Sequence, residues 1–125
     1  MHRARFYGLF IDSPLDTAEA SIDFWSQAFS VAPEREADDE DYTRLPDAVP
    51  GIEVEVQAVD DAPRYHIDIE TDDIEAEAQR LIGLGAEVIR KPGWYVLRAP
   101  GGHILCVVAV QSDPEFFAKH AKVYP

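Results

Sequence analysis

Residues 65–89, YHIDIETDDIEAEAQRLIGLGAEVI, carry a strand, a helix and the start of another strand in one run. Residues 65–70 alternate apolar and polar side chains, which is the pattern of a β-strand with two different faces. Asp72, followed three residues later by Glu75, predicts a helix start of the capping-box type. Gly85 is a typical helix end. This run therefore predicts a β-α-β order.

The same order occurs near the start of the chain. Residues 5–12 are rich in aromatic and branched side chains and predict a strand. Asp16, followed three residues later by Glu19, predicts a second helix start, and the helix is expected to run to about residue 29. Its buried stripe is expected to consist of Ile22, Trp25 and Phe29. FID at 10–12 and HID at 66–68 each lie four residues before the predicted cap, which indicates a duplicated unit.

The remaining pattern completes two similar halves. Further strands are predicted at residues 42–45, 52–59, 86–90, 94–98 and 104–110, and a short helix at 113–120. The turn-rich residues 60–64 are the best candidate for the joint between the halves. We therefore expect a single α+β domain over residues 1–125, with module 1 at about 3–60 and module 2 at about 64–111, each of order β-α-β-β-β.

Composition excludes several classes of function. The net charge is −13, from 24 acidic and 11 basic residues, and this disfavours nucleic-acid binding. No apolar run of about 18 residues predicts a membrane span, and residues 1–13 lack the pattern of a signal peptide. Cys106 is the one cysteine, so no disulfide forms within the chain. These features favour a cytoplasmic protein.

Three runs of the sequence resemble the vicinal oxygen chelate superfamily, which includes glyoxalases, bleomycin-resistance proteins and extradiol dioxygenases. They are SIDFWSQAFSV at 21–31, the run at 65–89 already quoted, and YVLRAPGGHILCVV at 95–108. The resemblance covers almost the whole chain. It implies two βαβββ modules that form a curved mixed sheet around a cavity, often in a homodimer. It implies much less about activity, because one fold hosts many chemistries.

Strand alternation predicts which side chains face that cavity. Ile67 and Ile69 share one face of their strand, and His66 and Asp68 share the other, polar face. If the resemblance sets the curvature, the polar face lines the cavity. The ligand pocket is then expected to include Phe6, Phe10, Glu53, Glu55, His66, Asp68, Trp94 and Cys106, with Tyr95 as an alternative to Trp94.

The resemblance also implies where a metal would bind. Metal-dependent members use a ligand on strand one, a glutamate on strand four, a histidine on strand five and a glutamate on strand eight. His66 matches the strand-five histidine, and Glu55 or Glu53 fits strand four. Strand one offers no ligand at positions 6, 8 or 10, and strand eight offers Cys106 in place of a carboxylate.

Two of the four implied ligands are therefore missing, and no cofactor is expected. The alternative is a divalent zinc, nickel, manganese or iron ion held by His66, Glu55 and Cys106. Without a metal, His66 is interpreted first as a hydrogen-bonded residue in a polar groove, and second as a ligand-contacting or acid–base group. Nearby Asp68 and Glu70 would tend to keep it protonated, which weakens it as a base.

Three functions remain open from the sequence. The first is metal-independent binding or sequestration of a small molecule, with aromatic walls and carboxylates suited to a cationic aromatic ligand. The second is an enzyme of the glyoxalase or dioxygenase kind, in which a metal acts as a Lewis acid. The third is a protein-interaction module that uses the acidic loop at 34–41 or the tail at 116–124. The small-molecule partner and the homodimer are the expected interactions.

Overall fold

The computed structural model describes residues 1–125 and contains nine strands and three helices. The strands are His2–Pro14 (β1), Glu34–Arg35 (β2), Tyr42–Arg44 (β3), Glu53–Val59 (β4), Arg64–Thr71 (β5), Glu87–Arg90 (β6), Tyr95–Arg98 (β7), Ile104–Ala109 (β8) and Lys122–Tyr124 (β9). The helices are Ala18–Ala28 (α1), Ile74–Gly83 (α2) and Pro114–His120 (α3). Parallel and antiparallel strand pairs both occur, and the predicted α+β class is confirmed. None of the helices is long and apolar enough to cross a membrane.

The chain divides into two compact units. One is Gly8–His66, called the 8–66 unit below. The other combines Met1–Tyr7 with Ile67–Pro125 and is called the split unit. The module boundaries predicted at residues 60 and 64 stay predictions.

The 8–66 unit packs α1 on a small mixed sheet. β1 runs parallel to β4, β4 pairs with β3 in the antiparallel sense, and β3 pairs with β2. The buried core consists of Ile11, Ile22, Leu45, Val54 and Val56. Both valines of β4, Val54 and Val56, thus face this core.

The split unit has its own core and sheet. β5 runs parallel to β8, and β7 pairs with β8 and with β6 in the antiparallel sense. Its buried core consists of Ala78, Tyr95, Leu97, Leu105 and Val107. β9 is a strand that the sequence did not predict, and it pairs with the first residues of β1. Its three residues carry too short an alternation to be recognised without that partner.

Both predicted N-caps need correction by one residue. Thr17, not Asp16, precedes α1, and no side chain caps that helix. Asp73, not Asp72, caps α2, because its carboxylate accepts a hydrogen bond from the backbone of Ala76. At α2, the adjacent residues Asp72 and Asp73 offer the same capping chemistry, so the sequence could not distinguish them.

The end of α2 agrees with the prediction, whereas the apolar stripe of α1 differs from it at Phe29. Gly85 has a φ of 113° and follows α2 as predicted. In α1, Ile22 is buried and Trp25 is partly buried against the core. Phe29 is wrong as a core residue, because it lies just past the helix and is 37% exposed. Ser26 fills the buried position instead.

Glu70 is the buried polar centre of the split unit. Its side chain is fully buried and accepts hydrogen bonds from the backbone and hydroxyl of Ser112, the backbone of Gln111 and the guanidinium of Arg5. Burial alone would raise the pKa of Glu70, but these hydrogen bonds outweigh it and hold the pKa below the usual 4.5. The sequence did not predict the burial of Glu70, because its partners lie far along the chain.

We predict that Glu70→Gln destabilises the protein by about 3–5 kcal/mol at pH 7, because it leaves Arg5 without its buried partner. The pKa of Glu70 is lower in the folded chain than in the unfolded chain. Its stabilisation is therefore complete above pH 4.5 and is lost as the pH falls through the folded-state pKa. Urea unfolding at pH 7, 4.5 and 3 measures both effects.

Glu87→Gln is the matched control, because it removes an exposed carboxylate from the same unit. The difference in free energy of unfolding between wild type and Glu70→Gln is expected to shrink below pH 4.5. A difference that stays constant down to pH 3 would show that the charge of Glu70 does not stabilise the fold.

Candidate functional site

His66 is bonded to a carboxylate from another strand. Its Nδ1 lies 2.9 Å from Oδ2 of Asp12, and both side chains are buried. Asp12 is near the end of β1, and His66 is the third residue of β5. When Nδ1–H donates to the carboxylate, the neutral ring carries its lone pair on Nε2. The bond thus selects one tautomer and one ring orientation.

Arg64 is a second donor to Asp12. Its Nε donates to the same Oδ2 at 3.1 Å, and its Nη1 donates to the exposed Asp61 at 3.3 Å. The other oxygen of Asp12, Oδ1, is buried without a hydrogen-bond partner. The carboxylate therefore bonds an imidazole and a guanidinium through one oxygen.

Two aromatic rings lie beside this pair. The ring of Phe10 stacks on His66, with centroids 4.9 Å apart and planes within 7° of parallel. Tyr42 meets Phe10 edge to face at 6.2 Å. Phe10 is buried, so its ring is a packed wall of the His66 environment rather than an open surface.

The predicted carboxylates of β4 have different surroundings. Glu53 accepts a hydrogen bond from Nε of Arg44 at 3.0 Å, and the same guanidinium bonds Glu34. Glu55 is buried and lies in register with Phe10 on β1 and with Arg44 on β3. Of the two glutamates, Glu55 is therefore the one that pairs directly with Phe10 across the sheet.

The other predicted aromatic residues do not share one environment. Phe6 is 43% exposed and Trp94, which precedes β7, is 39% exposed. Tyr95 is buried in the core of the split unit and donates its hydroxyl hydrogen to Glu75. Tyr95 as an alternative pocket wall is therefore wrong, because its ring is packed and its hydroxyl is bonded.

One group of side chains has the composition of a metal site. Asp68 of β5 pairs in register with Cys106 of β8, and His66 lies two residues before Asp68 on the same strand. One ligand atom from each of the three lies within 4.8 Å of the others. Nitrogen, oxygen and sulfur donors in this number fit a zinc or iron ion. The group contains two residues of the predicted set, with Asp68 where Glu55 was expected.

Two residues of the site were missed from the sequence. Asp12 was placed at the end of the first predicted strand but was not linked to His66, and Arg64 was assigned to a turn. The pairing of β1 with β4 and the side-chain contacts decide their roles, and neither is encoded in local spacing. The one available signal was the matching FID and HID, which puts Asp12 two residues after the residue equivalent to His66.

Several solved structures share this fold. A hypothetical protein from Bacillus halodurans has 13% identity and a TM-score of 0.58, over 88% of this chain and 98% of that chain. Streptomyces coelicolor methylmalonyl-CoA epimerase, in complex with 2-nitronate-propionyl-CoA, has 13% identity and a TM-score of 0.55, over 86% and 98%. The epimerase from Mycobacterium tuberculosis has 12% identity and a TM-score of 0.52, over 85% and 88%. At these identities the likeness shows the fold. No curated protein matches the sequence significantly.

The family match and the fold together place the chain in the vicinal oxygen chelate superfamily. A family model described as a glyoxalase-like domain matches residues 8–108, which is most of the chain. The chain belongs to this glyoxalase-like family, and the resemblance read from the sequence is confirmed.

We predict that neutral His66 carries its proton on Nδ1, because Asp12 accepts a hydrogen bond there. Ring ¹⁵N chemical shifts, recorded above the titration of the histidine, distinguish the two tautomers. Asp12→Ala is expected to remove the preference and to cost about 1–3 kcal/mol of stability, because the buried ring of His66 loses its hydrogen-bond partner. A ring with its proton on Nε2 in the wild type would contradict the role assigned to Asp12.

Proposed function

We propose that this chain is a small-molecule-binding protein whose ligand contacts the imidazole of His66. The observation that carries the proposal is the buried bond between His66 and Asp12. A binding group needs a fixed orientation, and a second residue that holds the ring supplies it. The stacked ring of Phe10 restricts the imidazole further. The remaining predicted pocket residues, Phe6, Glu53, Glu55, Asp68, Trp94 and Cys106, belong to this proposal.

The ligand that we propose is cationic and aromatic. The net charge of −13 attracts cations, and the carboxylates of Glu55 and Asp68 belong to the predicted pocket set. Aromatic side chains such as Phe6 and Trp94, which are partly exposed, suit a cation with a planar body. This mode needs no metal, and its chemistry is sequestration rather than turnover.

We predict that benzyltrimethylammonium, used as a cationic aromatic probe, binds the wild type and raises its melting temperature. His66→Gln is expected to weaken binding about tenfold, while the unliganded melting temperature changes by only a few degrees. His103→Gln, at an exposed histidine in the turn before β8, is the control and should bind as the wild type does. Isothermal titration calorimetry measures the binding affinity, and a thermal-shift assay measures the melting temperature.

Two results would contradict this mode. One is a thermal shift produced by neutral or acidic aromatic compounds but by none of the cations. The other is a His66→Gln variant with lower stability and unchanged binding, because His66 would then only support the fold.

A second candidate function is metal-dependent, and the group formed by His66, Asp68 and Cys106 favours it. These three side chains would hold a divalent ion. Metal-bound histidines commonly donate their other ring N–H to a carboxylate, which is the arrangement of His66 and Asp12. A bound ion supplies Lewis-acid chemistry of the glyoxalase or dioxygenase kind. Asp12 would orient the ring, and Asp68 and Cys106 would complete the donor set.

Metal analysis distinguishes the two modes without an activity assay. If the metal-dependent function holds, protein purified without chelators contains about one equivalent of zinc, nickel, manganese or iron. Reconstitution with Co²⁺ then gives a thiolate charge-transfer band that Cys106→Ser removes and His103→Gln leaves unchanged. Failure to take up any of these ions from an excess at pH 7 would exclude this candidate.

We also propose that the protein acts in the cytoplasm as a homodimer. The single cysteine and the family resemblance support this proposal. Light scattering during size-exclusion chromatography tests the dimer, for which the expected mass is twice 14.0 kDa.

A further inference from the structure

The 8–66 unit contains a cavity that the proposed function does not use. Its volume is about 550 Å³, and it lies between the end of β1, the first part of α1 and residues 63–65. Small-molecule sites in proteins commonly have volumes of about 300–1,000 Å³. The cavity is therefore large enough for one aromatic molecule with a short substituent.

Aromatic side chains form much of its wall. Phe24, Trp25 and Tyr65 all line the cavity. Phe24 is 62% exposed and Tyr65 is 59% exposed, although both are large apolar rings. Trp25 meets Phe24 edge to face at 5.0 Å, which fixes the two rings relative to each other. Clustered exposed rings of this kind are typical of a binding surface.

The charge that a ligand can reach in this cavity is positive. Two charged residues line it, Asp12 and Arg64. The side chain of Asp12 is 1% exposed and that of Arg64 is 45% exposed, so the guanidinium is the accessible group. The buried bond to Asp12 holds the guanidinium in place. The bond from Arg64 to Asp61 joins two exposed side chains and is therefore weak.

The start of α1 adds donors on the same side. Thr17, Ala20 and Ser21 line the cavity, and no side chain caps this helix. The first N–H groups of an uncapped helix favour a negative group nearby. This feature supports the charge argument from Arg64 and does not replace it.

We propose that this cavity is a second binding site, which takes an aromatic carboxylate. The ring of the ligand packs against Phe24, Trp25 and Tyr65. Its carboxylate replaces Asp61 on Arg64 and leaves the buried bond from Arg64 to Asp12 in place. The site is separate from the His66 contact in the proposed function, because His66 does not line this cavity.

Benzoate, benzamide and benzylamine serve as matched probes that differ in charge. In ¹H–¹⁵N spectra, benzoate is expected to shift the backbone signals of Ala20, Ser21 and Tyr65 in a saturable way. Benzamide should bind about tenfold more weakly, because it lacks the charge, and benzylamine should not shift these signals. Equal shifts from benzamide and benzoate would overturn the assignment of a carboxylate ligand.

The ligand carboxylate and Asp61 are proposed to compete for Arg64, so removing Asp61 should strengthen benzoate binding. Asp61→Asn removes the competing carboxylate and is expected to tighten benzoate binding by about two- to fivefold. Asp60→Asn makes the same change in net charge at the neighbouring exposed residue and should have a smaller effect. Arg64→Gln is expected to weaken binding by about tenfold or more. Equal effects of the two aspartate variants would show that only long-range charge matters and would overturn the proposal.

The apolar wall has its own pair of variants. Phe24→Ser is expected to weaken benzoate binding about fivefold, while Leu15→Ser, at an exposed residue outside the cavity, should leave it unchanged. His66→Gln should also leave it unchanged, which separates this site from the proposed function. If Phe24→Ser instead converts a dimer to a monomer and benzoate has no effect, the rings form a subunit interface and the proposal is wrong.

Discussion

The carboxylate of Asp12 is the constraint on which the candidate site depends. It is buried, and through a single oxygen it accepts hydrogen bonds from His66 and Arg64. The first bond fixes the imidazole that the proposed function uses. The second holds a guanidinium that faces the cavity beside α1. One buried carboxylate thus positions both the imidazole and the guanidinium, and a change at Asp12 would affect both.

Two of the buried carboxylates, Glu70 and Asp12, differ in how many of their hydrogen-bond acceptors are satisfied. Glu70 receives four hydrogen bonds, two on each oxygen, so its charge is fully compensated within the fold. Asp12 leaves Oδ1 buried without a partner. A buried oxygen without a donor lowers stability, and fold stability alone gives no reason to retain it. We therefore interpret Glu70 as structural and Asp12 as a positioning residue.

Most of the fold could be predicted from the sequence, because strand alternation and helix spacing are local signals. The strands at 65–70 and 52–59 and the helix that ends before Gly85 depend on such signals, and the structure contains all three. β9 and the burial of Glu70 could not be predicted, because both depend on partners far along the chain. His66 could be recognised as a candidate from its type and strand face. Asp12 and Arg64 could not, since their roles require contacts across the sheet.

The duplication suggested by FID and HID explains what chemistry His66 can support. The match of FID with HID predicts equivalent positions for Phe10 and His66, and the structure shows their rings stacked on each other. Strand one therefore contributes an apolar surface at the place where a metal-dependent relative is expected to contribute a ligand. An ion at His66 would have to rely on Asp68 and Cys106 from β5 and β8. Phe10 covers one face of the imidazole of His66. In both proposed functions, the small molecule or the metal ion would therefore contact the edge of the imidazole ring.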